Sequence, residues 1–438
     1  MTTTNSPVTG TMLTHEASSG TTMAEQYREV RAFTEKLCEP LVPEDFVIRS
    51  MPDVSPTKWH LAHVSWFFET FLLKEFKTDY ETYHPDFAYL FNSYYVAVGE
   101  RHCRPKRGLV SRPSVDETFK YRAYVDEHMV ALLESADDEQ RQRLAPLLEV
   151  GLNHEQQHQE LMLMDIKHVF TENPLRPVYR ERQTHGMTDT PPMTWKTFDE
   201  GVYWFGHDGN GFHFDNEGPQ HRQFLEAFQL ASRLVTCGEF LEFMEDGGYK
   251  RPELWLSEGW AKVENEGWEA PFYWENHDGQ WMLMTLNGMR PVEESEPVCH
   301  VNYFEADAFA RWAGARLPTE FEWELAARNV PIEGNFVEDG YYHPVPAPAP
   351  AHAVEDGELT QMYGNLWEWT RSSYAPYPGY YPIEGALGEY NGKFMSNQYV
   401  LRGGCCVTPR DHIRPTYRNF FPSDACWQFS GIRLAREV

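Results

Sequence analysis

The sequence predicts an α+β protein in two unlike parts. A four-helix bundle is expected over residues 23–173 and, beyond a linker at 174–195, an α+β domain of short, irregular strands over 196–438. Three observations lead there. Up to residue 172 the chain carries long helical runs with recognisable start signals. After Pro174, proline, glycine and aromatic residues become frequent and helical periodicity fades. Aromatics make up 15% of the chain, enough to fill a loop-rich core with large rings. A length of 438 residues suits two or three domains, at roughly 100–200 residues each.

Taken in order, residues 1–22 are rich in Thr and Ser and lack the basic flank and apolar centre of a secretory signal. They are expected to form a flexible tail. Residues 23–38 form the first helix. Ser55 and Pro56 open the second, serine as a cap and proline at the first helical position, where its missing N–H costs nothing. That helix carries Trp59 through Phe76. Ser114 with Glu117 makes a capping box ahead of a third helix over 119–133. The fourth covers 138–170, with a break or bend expected near Pro146 and Gly151. Four helices with one long connection suit a bundle. In the second part only 236–245, 306–313 and 320–328 read as helical, and PVPAPAPA at 344–351 as an extended surface loop.

Composition bounds the function. With 38 basic and 66 acidic residues the net charge is −28, which argues against nucleic acid and anionic membrane as partners, because phosphates are repelled. No run approaches the ~20 apolar residues that span a bilayer. The seven cysteines are scattered without a CxxC pair, which reads as reduced thiols and a cytoplasmic location.

The sharpest motif is His154-Glu155-Gln156-Gln157-His158. His154 and His158, four apart on a helix, project from one face. The same row continues through Met162 and Ile166, so the imidazoles are expected to face the bundle interior, where a lone histidine is usually a core residue but a pair suggests a metal. A divalent ion needs a third ligand, and the second helix supplies His60 and His63. Spacing alone does not choose between them. Bundle metal sites are assembled this way, from facing helices. The letters also fit H-E-x-x-H, the zinc-protease motif with Glu155 as general base. The extended metzincin pattern fails, since Leu161 and Met164 stand where Gly and His are required, and a protease has no need of WHLAH. Between the histidine helices lies Tyr89 to Tyr95, followed by Arg101, His102, Arg104, Lys106 and Arg107. In so acidic a chain this cationic cluster suggests carboxylate capture, since guanidinium forks match carboxylates bidentately.

Together, SPTKWHLAHVSWFFETFLL, YLFNSYYVAVGERH, LVSRPSV and NHEQQHQELMLMDIKH resemble the ergothioneine-biosynthesis sulfoxide synthases, or hercynine oxygenases. RLPTEFEWELAAR, YGNLWEWT, LRGGCC and FSGIRLAR resemble the formylglycine-generating-enzyme fold, a C-type-lectin-like domain. The resemblance covers about residues 23–438 and implies a DinB-like bundle followed by that domain. It implies Fe(II) bound by His63, His154 and His158. It also implies O₂-dependent coupling of a thiol to the imidazole of hercynine, with oxidation of the sulfur to a sulfoxide.

The residues suit that chemistry. Hercynine's quaternary ammonium is stabilised by aromatic faces, and Tyr417, Asn419, Phe420 and Phe421, with Trp427 nearby, offer a binding segment. Gln157 is placed to orient the substrate imidazole. Arg101 and Arg104 serve the substrate carboxylates. Family members that use γ-glutamylcysteine tend to carry an acidic residue and an arginine just past this segment. Here Phe421-Pro422-Ser423-Asp424 follows, with no arginine before Arg433, so L-cysteine is the expected thiol and γ-glutamylcysteine the alternative. Tyr94 and Tyr95 are expected as the catalytic pair, with Tyr374, Tyr377 and Tyr380 as the other tyrosines in view. The rival classes are a zinc hydrolase, a copper formylglycine-generating oxidase, which needs a thiol pair that the adjacent Cys405 and Cys406 do not offer on an extended segment, and a lectin-like binder, which does not require inward histidines from two helices.

Overall fold

A computed structural model of the chain describes residues 21–184, 190–348 and 358–438. The expected tail falls outside them except for Thr21 and Thr22, and so does the end of the PVPAPAPA loop. The first part is helical. α1 (Met23–Cys38) opens on a capping box in which Thr22 and Glu25 exchange bonds. α2 (Thr57–Phe68) passes through a π-helical turn (Glu69–Leu73) into α3 (Lys74–Phe76). After the short α4 (Phe87–Phe91) come α5 (Val115–Ser135), which has the Ser114–Glu117 capping box, and α6 (Asp138–Glu172). α1, α2, α5 and α6 form the bundle; α4 and the loops around it fill the long connection.

Two sequence expectations are corrected here. α6 is one helix of 35 residues with Pro146 inside it, not a broken one. Gly151 is a packing residue, since a Cβ there would stand 2.5 Å from a ring carbon of Phe68. At the start of α2, Ser55 does not cap. The N-cap is Pro56, without a side-chain bond, and Ser55 instead gives its N–H to Asp165 at 2.8 Å and accepts from Arg107 at 3.1 Å. Tertiary polar partners outcompete the local cap.

The second part begins at β1 (Trp195–Phe198) and β2 (Gly201–Phe205). It continues through β3 (His221–Leu225), β4 (Phe228–Ala231), α7 (Cys237–Glu245) and α8 (Ser257–Glu266), a helix not foreseen from the sequence. β5 (Trp274–His277), β6 (Gln280–Thr285) and β7 (Gly288–Pro291) make an antiparallel meander. α9 (Tyr303–Trp312) and α10 (Glu320–Ala327) lead to β8 (Trp367–Ser373), β9 (Gln398–Arg402), β10 (Asn419–Pro422), β11 (Ser430–Gly431) and β12 (Ala435–Glu437). The central sheet has the order β10-β9-β8-β11, and the terminal strands close in β1-β4-β12. Trp323, Trp367 and Trp369 are fully buried, so the aromatics do replace long strands as core.

α6 joins the two parts. Along it, Asn153 and His412 lie 3.0 Å apart, Gln156 donates to Asp411 at 2.7 Å, and Glu160 accepts from the Trp367 indole at 2.7 Å. Lys167 meets His300 at 2.6 Å. The helix that carries the histidine pair is therefore fixed against the second domain on one side and the bundle on the other.

Candidate functional site

The helical spacing of the sequence does its work on α2 and α6. Both present histidines to the bundle interior, and the donor nitrogens of His63, His154 and His158 all lie within 4.8 Å of one another. No other group of three or more His, Cys, Asp or Glu donors does so among the described residues. His63 gives its Nδ1–H to the carbonyl of Phe91 at 2.6 Å, leaving Nε2 free toward Nε2 of His154 at 3.3 Å. That separation is what two imidazoles each about 2.1 Å from one shared ion would show. Nδ1 of His154 is buried without a partner. Burial holds all three imidazoles below their ordinary range, His154 at about 3, so each keeps a free lone pair at neutral pH. Three neutral nitrogen donors in a dry bundle fit a divalent transition ion.

His60, the other histidine of WHLAH, is not in that cluster. It sits behind it, bonded to His158 at 2.8 Å and to Asp165 at 3.0 Å. Trp59 stacks on His63 with ring centroids 4.6 Å apart and planes at 11°.

Glu155 cannot act as a protease base. It is wholly buried and accepts bonds from Arg31 at 2.9 Å, Arg122 at 2.7 Å and Thr34 at 2.7 Å. Burial alone would raise its pKa, but the two guanidiniums hold it down at about 2. This is a bundle strut linking α1, α5 and α6. Removing one member of such a group leaves buried charge uncompensated. Glu155→Ala is expected to lower the unfolding free energy by about 3–5 kcal/mol, read as a shifted denaturant midpoint at unchanged slope.

A tyrosine loop closes one side of the cluster. The carbonyl that orients His63 belongs to Phe91, at the end of α4, and Asn92 follows at once. Its buried amide donates to the Tyr95 carbonyl at 2.9 Å and accepts the Tyr95 N–H at 3.1 Å. The loop therefore turns back and puts Tyr95 against Trp66 and Phe67 of α2 and Phe71 of the π-helical turn. Tyr94 stacks on Tyr95 at 4.6 Å. Tyr95 is fully buried, and its hydroxyl meets no side chain but that of Tyr94; Tyr94 is partly buried. Burial raises both phenols, so both stay protonated.

Comparison with known proteins is consistent with this construction. Residues 26–162 match the DinB superfamily, and residues 197–438 match the sulfatase-modifying factor enzyme 1-like domain. A hercynine oxygenase of Mycolicibacterium smegmatis is 32% identical over 415 residues, covering 88% of this chain and 92% of that protein. The chain belongs to the hercynine oxygenase family. The hercynine oxygenase of Mycobacterium tuberculosis is 35% identical over 241 residues, 51% of this chain and 56% of its own length. Ergothioneine biosynthesis protein 1 of Schizosaccharomyces pombe is 25% identical over 238 residues, 51% of this chain and 28% of its own. No helix among the described residues is long and apolar enough to cross a membrane.

In this hercynine oxygenase fold the remaining expected residues fall in three places. Gln157 faces the second domain, donating to the Tyr417 hydroxyl at 2.6 Å and accepting from the Tyr390 hydroxyl. Phe420 stacks on Tyr374 at 4.1 Å and lies near Phe394, which in turn meets Tyr94 at 5.3 Å. Asn419 and Phe421 alternate to the other side of β10, and Phe421 packs on Trp427. Arg101 and Arg104 are exposed, Arg104 donating to the Asp53 carbonyl.

Two features escaped the sequence reading. One is the placement of Arg107, which the sequence gives only as one of a cationic cluster: a buried guanidinium lying 3.5 Å over the Trp59 ring and donating only to Ser55 and Ser93. No carboxylate pairs with it among the described residues, its Nε is unpartnered, and burial with the neighbouring cations Arg104 and Arg49 pulls its pKa down. The other is the segment 386–394. Tyr390 from it stands 5.5 Å from His154 and 6.2 Å from Tyr94. Glu389 accepts the N–H groups of Val96 and Ala97, at 3.0 and 2.8 Å, and Lys393 donates to the Tyr94 carbonyl. In the sequence this stretch, ALGEYNGKF, carries no motif that marks it.

Proposed function

We propose that this chain is an O₂-dependent, non-haem iron sulfoxide synthase. With Fe(II) held by His63, His154 and His158, it joins the sulfur of L-cysteine to the imidazole of hercynine and oxidises that sulfur, as a step of ergothioneine biosynthesis. The balance is one thiol, one hercynine and one O₂ giving one sulfoxide and one water, with the S–H and one ring C–H bond broken and a C–S bond formed. The observation that carries the reading is the convergence of three neutral imidazoles from two facing helices in a chain of this family. When bound, the iron supplies the redox chemistry between O₂, thiol and imidazole.

The chain's own residues do the rest. Gln157, locked between Tyr417 and Tyr390, presents a fixed amide beside the histidine cluster for the substrate imidazole. The rings of Tyr417, Phe420 and Tyr390 offer faces to a quaternary ammonium. Arg107, charged and without a carboxylate of its own, is suited to grip a substrate carboxylate, with Arg101 and Arg104 drawing anions to the rim. Tyr94 and Tyr95, both raised by burial, hold their protons beside the histidine cluster. Reconstitution with Fe(II) under anaerobic conditions, followed by hercynine, cysteine and O₂, is expected to yield a product with the mass of hercynylcysteine sulfoxide. Absence of any hercynine-derived sulfur adduct would refute the function.

Cysteine is preferred over γ-glutamylcysteine because the stretch after Asn419 has no free polar grip for a longer thiol. Phe421 is packed on Trp427, and Asp424 is held by Lys262 at 2.9 Å. With hercynine saturating, kcat/KM for cysteine is expected to exceed that for γ-glutamylcysteine by about tenfold or more, or roughly 1.4 kcal/mol of transition-state binding. The reverse order would overturn the thiol assignment and leave the reaction type standing.

A further inference from the structure

We infer that Asp165, acting through His60, sets the tautomer of His158 and so makes it a ligand through Nε2. The inference rests on the reading of His63, His154 and His158 as metal ligands. Its basis is a directional chain of buried hydrogen bonds. Asp165 lies seven residues after His158 on α6, and its carboxylate Oδ2 already accepts the N–H of Ser55 at 2.8 Å. The same oxygen is 3.0 Å from Nε2 of His60. A carboxylate only accepts, so His60 carries its hydrogen on Nε2. With His60 taken in its neutral form, its Nδ1 is then bare. That atom lies 2.8 Å from Nδ1 of His158, which must therefore be the protonated one. His158 is left with a free lone pair on Nε2.

His63 reaches the same state by a shorter route, through the Phe91 carbonyl, and His154 has no such partner. The three histidines thus differ in how firmly their tautomers are set, and the two histidines of WHLAH do different work. His60 and Asp165 are positioning residues: an acceptor behind a ligating imidazole fixes its orientation and tautomer and raises its basicity. With the Asp165 acceptor gone, His60 is free to turn its proton to Nδ1 and donate to His158, which would then carry hydrogen on the nitrogen meant for the metal.

The test uses the metal-free full-length protein, labelled with ¹⁵N at histidine, and then titration with Co(II) followed by its visible spectrum. In the wild type the ¹⁵N shifts of His158 should show the Nδ1–H form. Asp165→Leu should shift it toward Nε2–H and raise the Co(II) dissociation constant about 10- to 100-fold. His60→Gln, whose amide can accept from His158 and donate to Asp165, should stay within a few-fold of wild type, whereas His60→Leu should not. A wild-type His158 in the Nε2–H form overturns the inference with no variant needed. So does unchanged Co(II) affinity in both leucine variants. If the wild type binds no Co(II) at all, the metal reading fails, while the tautomer is still read directly from the spectrum.

Discussion

Replacing His63, His154 or His158 by alanine is expected to abolish iron binding and turnover together while the chain stays folded. Each supplies one of three neutral donors, and two imidazoles hold an exchangeable Fe(II) far more weakly than three. The variants should differ in stability even though they agree in activity. His63→Ala leaves the Phe91 carbonyl without its donor and removes a ring stacked between Trp59 and Trp66. His158→Ala leaves the bare nitrogen of His60 unpaired. Nδ1 of His154 has no partner to orphan, so His154→Ala should be the mildest. The costs for the first two are about 1–3 kcal/mol each, which a domain stable by roughly 5–15 kcal/mol survives. Iron per chain, activity and a denaturation curve on each variant check this. Full iron occupancy in His63→Ala would move the third ligand elsewhere, with His60 next in line.

How much of this was legible in the sequence follows from range. The long helices were, because their runs and a start signal such as the Ser114–Glu117 capping box are local, whereas the cap expected at Ser55 fails because its partners, Asp165 and Arg107, are distant in sequence. Of the break or bend expected in α6 near Pro146 and Gly151, the break is absent, and the part Gly151 plays depends on Phe68, more than eighty residues away. Two of the three histidines could be paired from helical spacing alone. Choosing His63 over His60 needed the resemblance, since the two differ only in whether Asp165 or the cluster lies in front of them. The arginines show the same limit. Arg101, Arg104 and Arg107 look alike as letters, and only the fold sends Arg107 under cover onto Trp59 and leaves the other two in solvent. The segment around Tyr390 was invisible for a related reason: its contacts to Val96, Ala97 and Tyr94 span nearly three hundred residues.

One of Tyr94→Phe and Tyr95→Phe is expected to redirect the product from sulfoxide toward cysteine sulfinic acid while O₂ is still consumed. Joining sulfur to the imidazole needs a proton delivered in step with oxygen chemistry; without a donor, thiol and O₂ can react alone, as they do in thiol dioxygenases. The two phenols meet that need on three counts. They stand beside the histidine cluster, with the ring of Tyr95 6.5 Å from that of Phe67, whose ring in turn lies 4.6 Å from that of His154, between centroids. Burial raises both, so they keep their protons at neutral pH. The Tyr95 hydroxyl has no hydrogen-bond partner besides the Tyr94 side chain. The tyrosines of the second domain are otherwise engaged. Tyr374 is bonded by Asn216 at 2.9 Å, Tyr377 donates to Glu320 at 2.9 Å, and Tyr380 donates to Asp215 at 2.9 Å. Phenylalanine keeps the stacked rings and removes only the oxygen. At Tyr95, whose oxygen meets only the Tyr94 side chain, the change should cost no more than about 1 kcal/mol. A purely structural pair predicts the opposite pattern: altered stability with an unchanged product ratio. Should both single variants and the double variant keep the wild-type ratio of sulfoxide to sulfinic acid, the donor lies elsewhere, and Tyr390, already beside Gln157 and His154, is the next to replace.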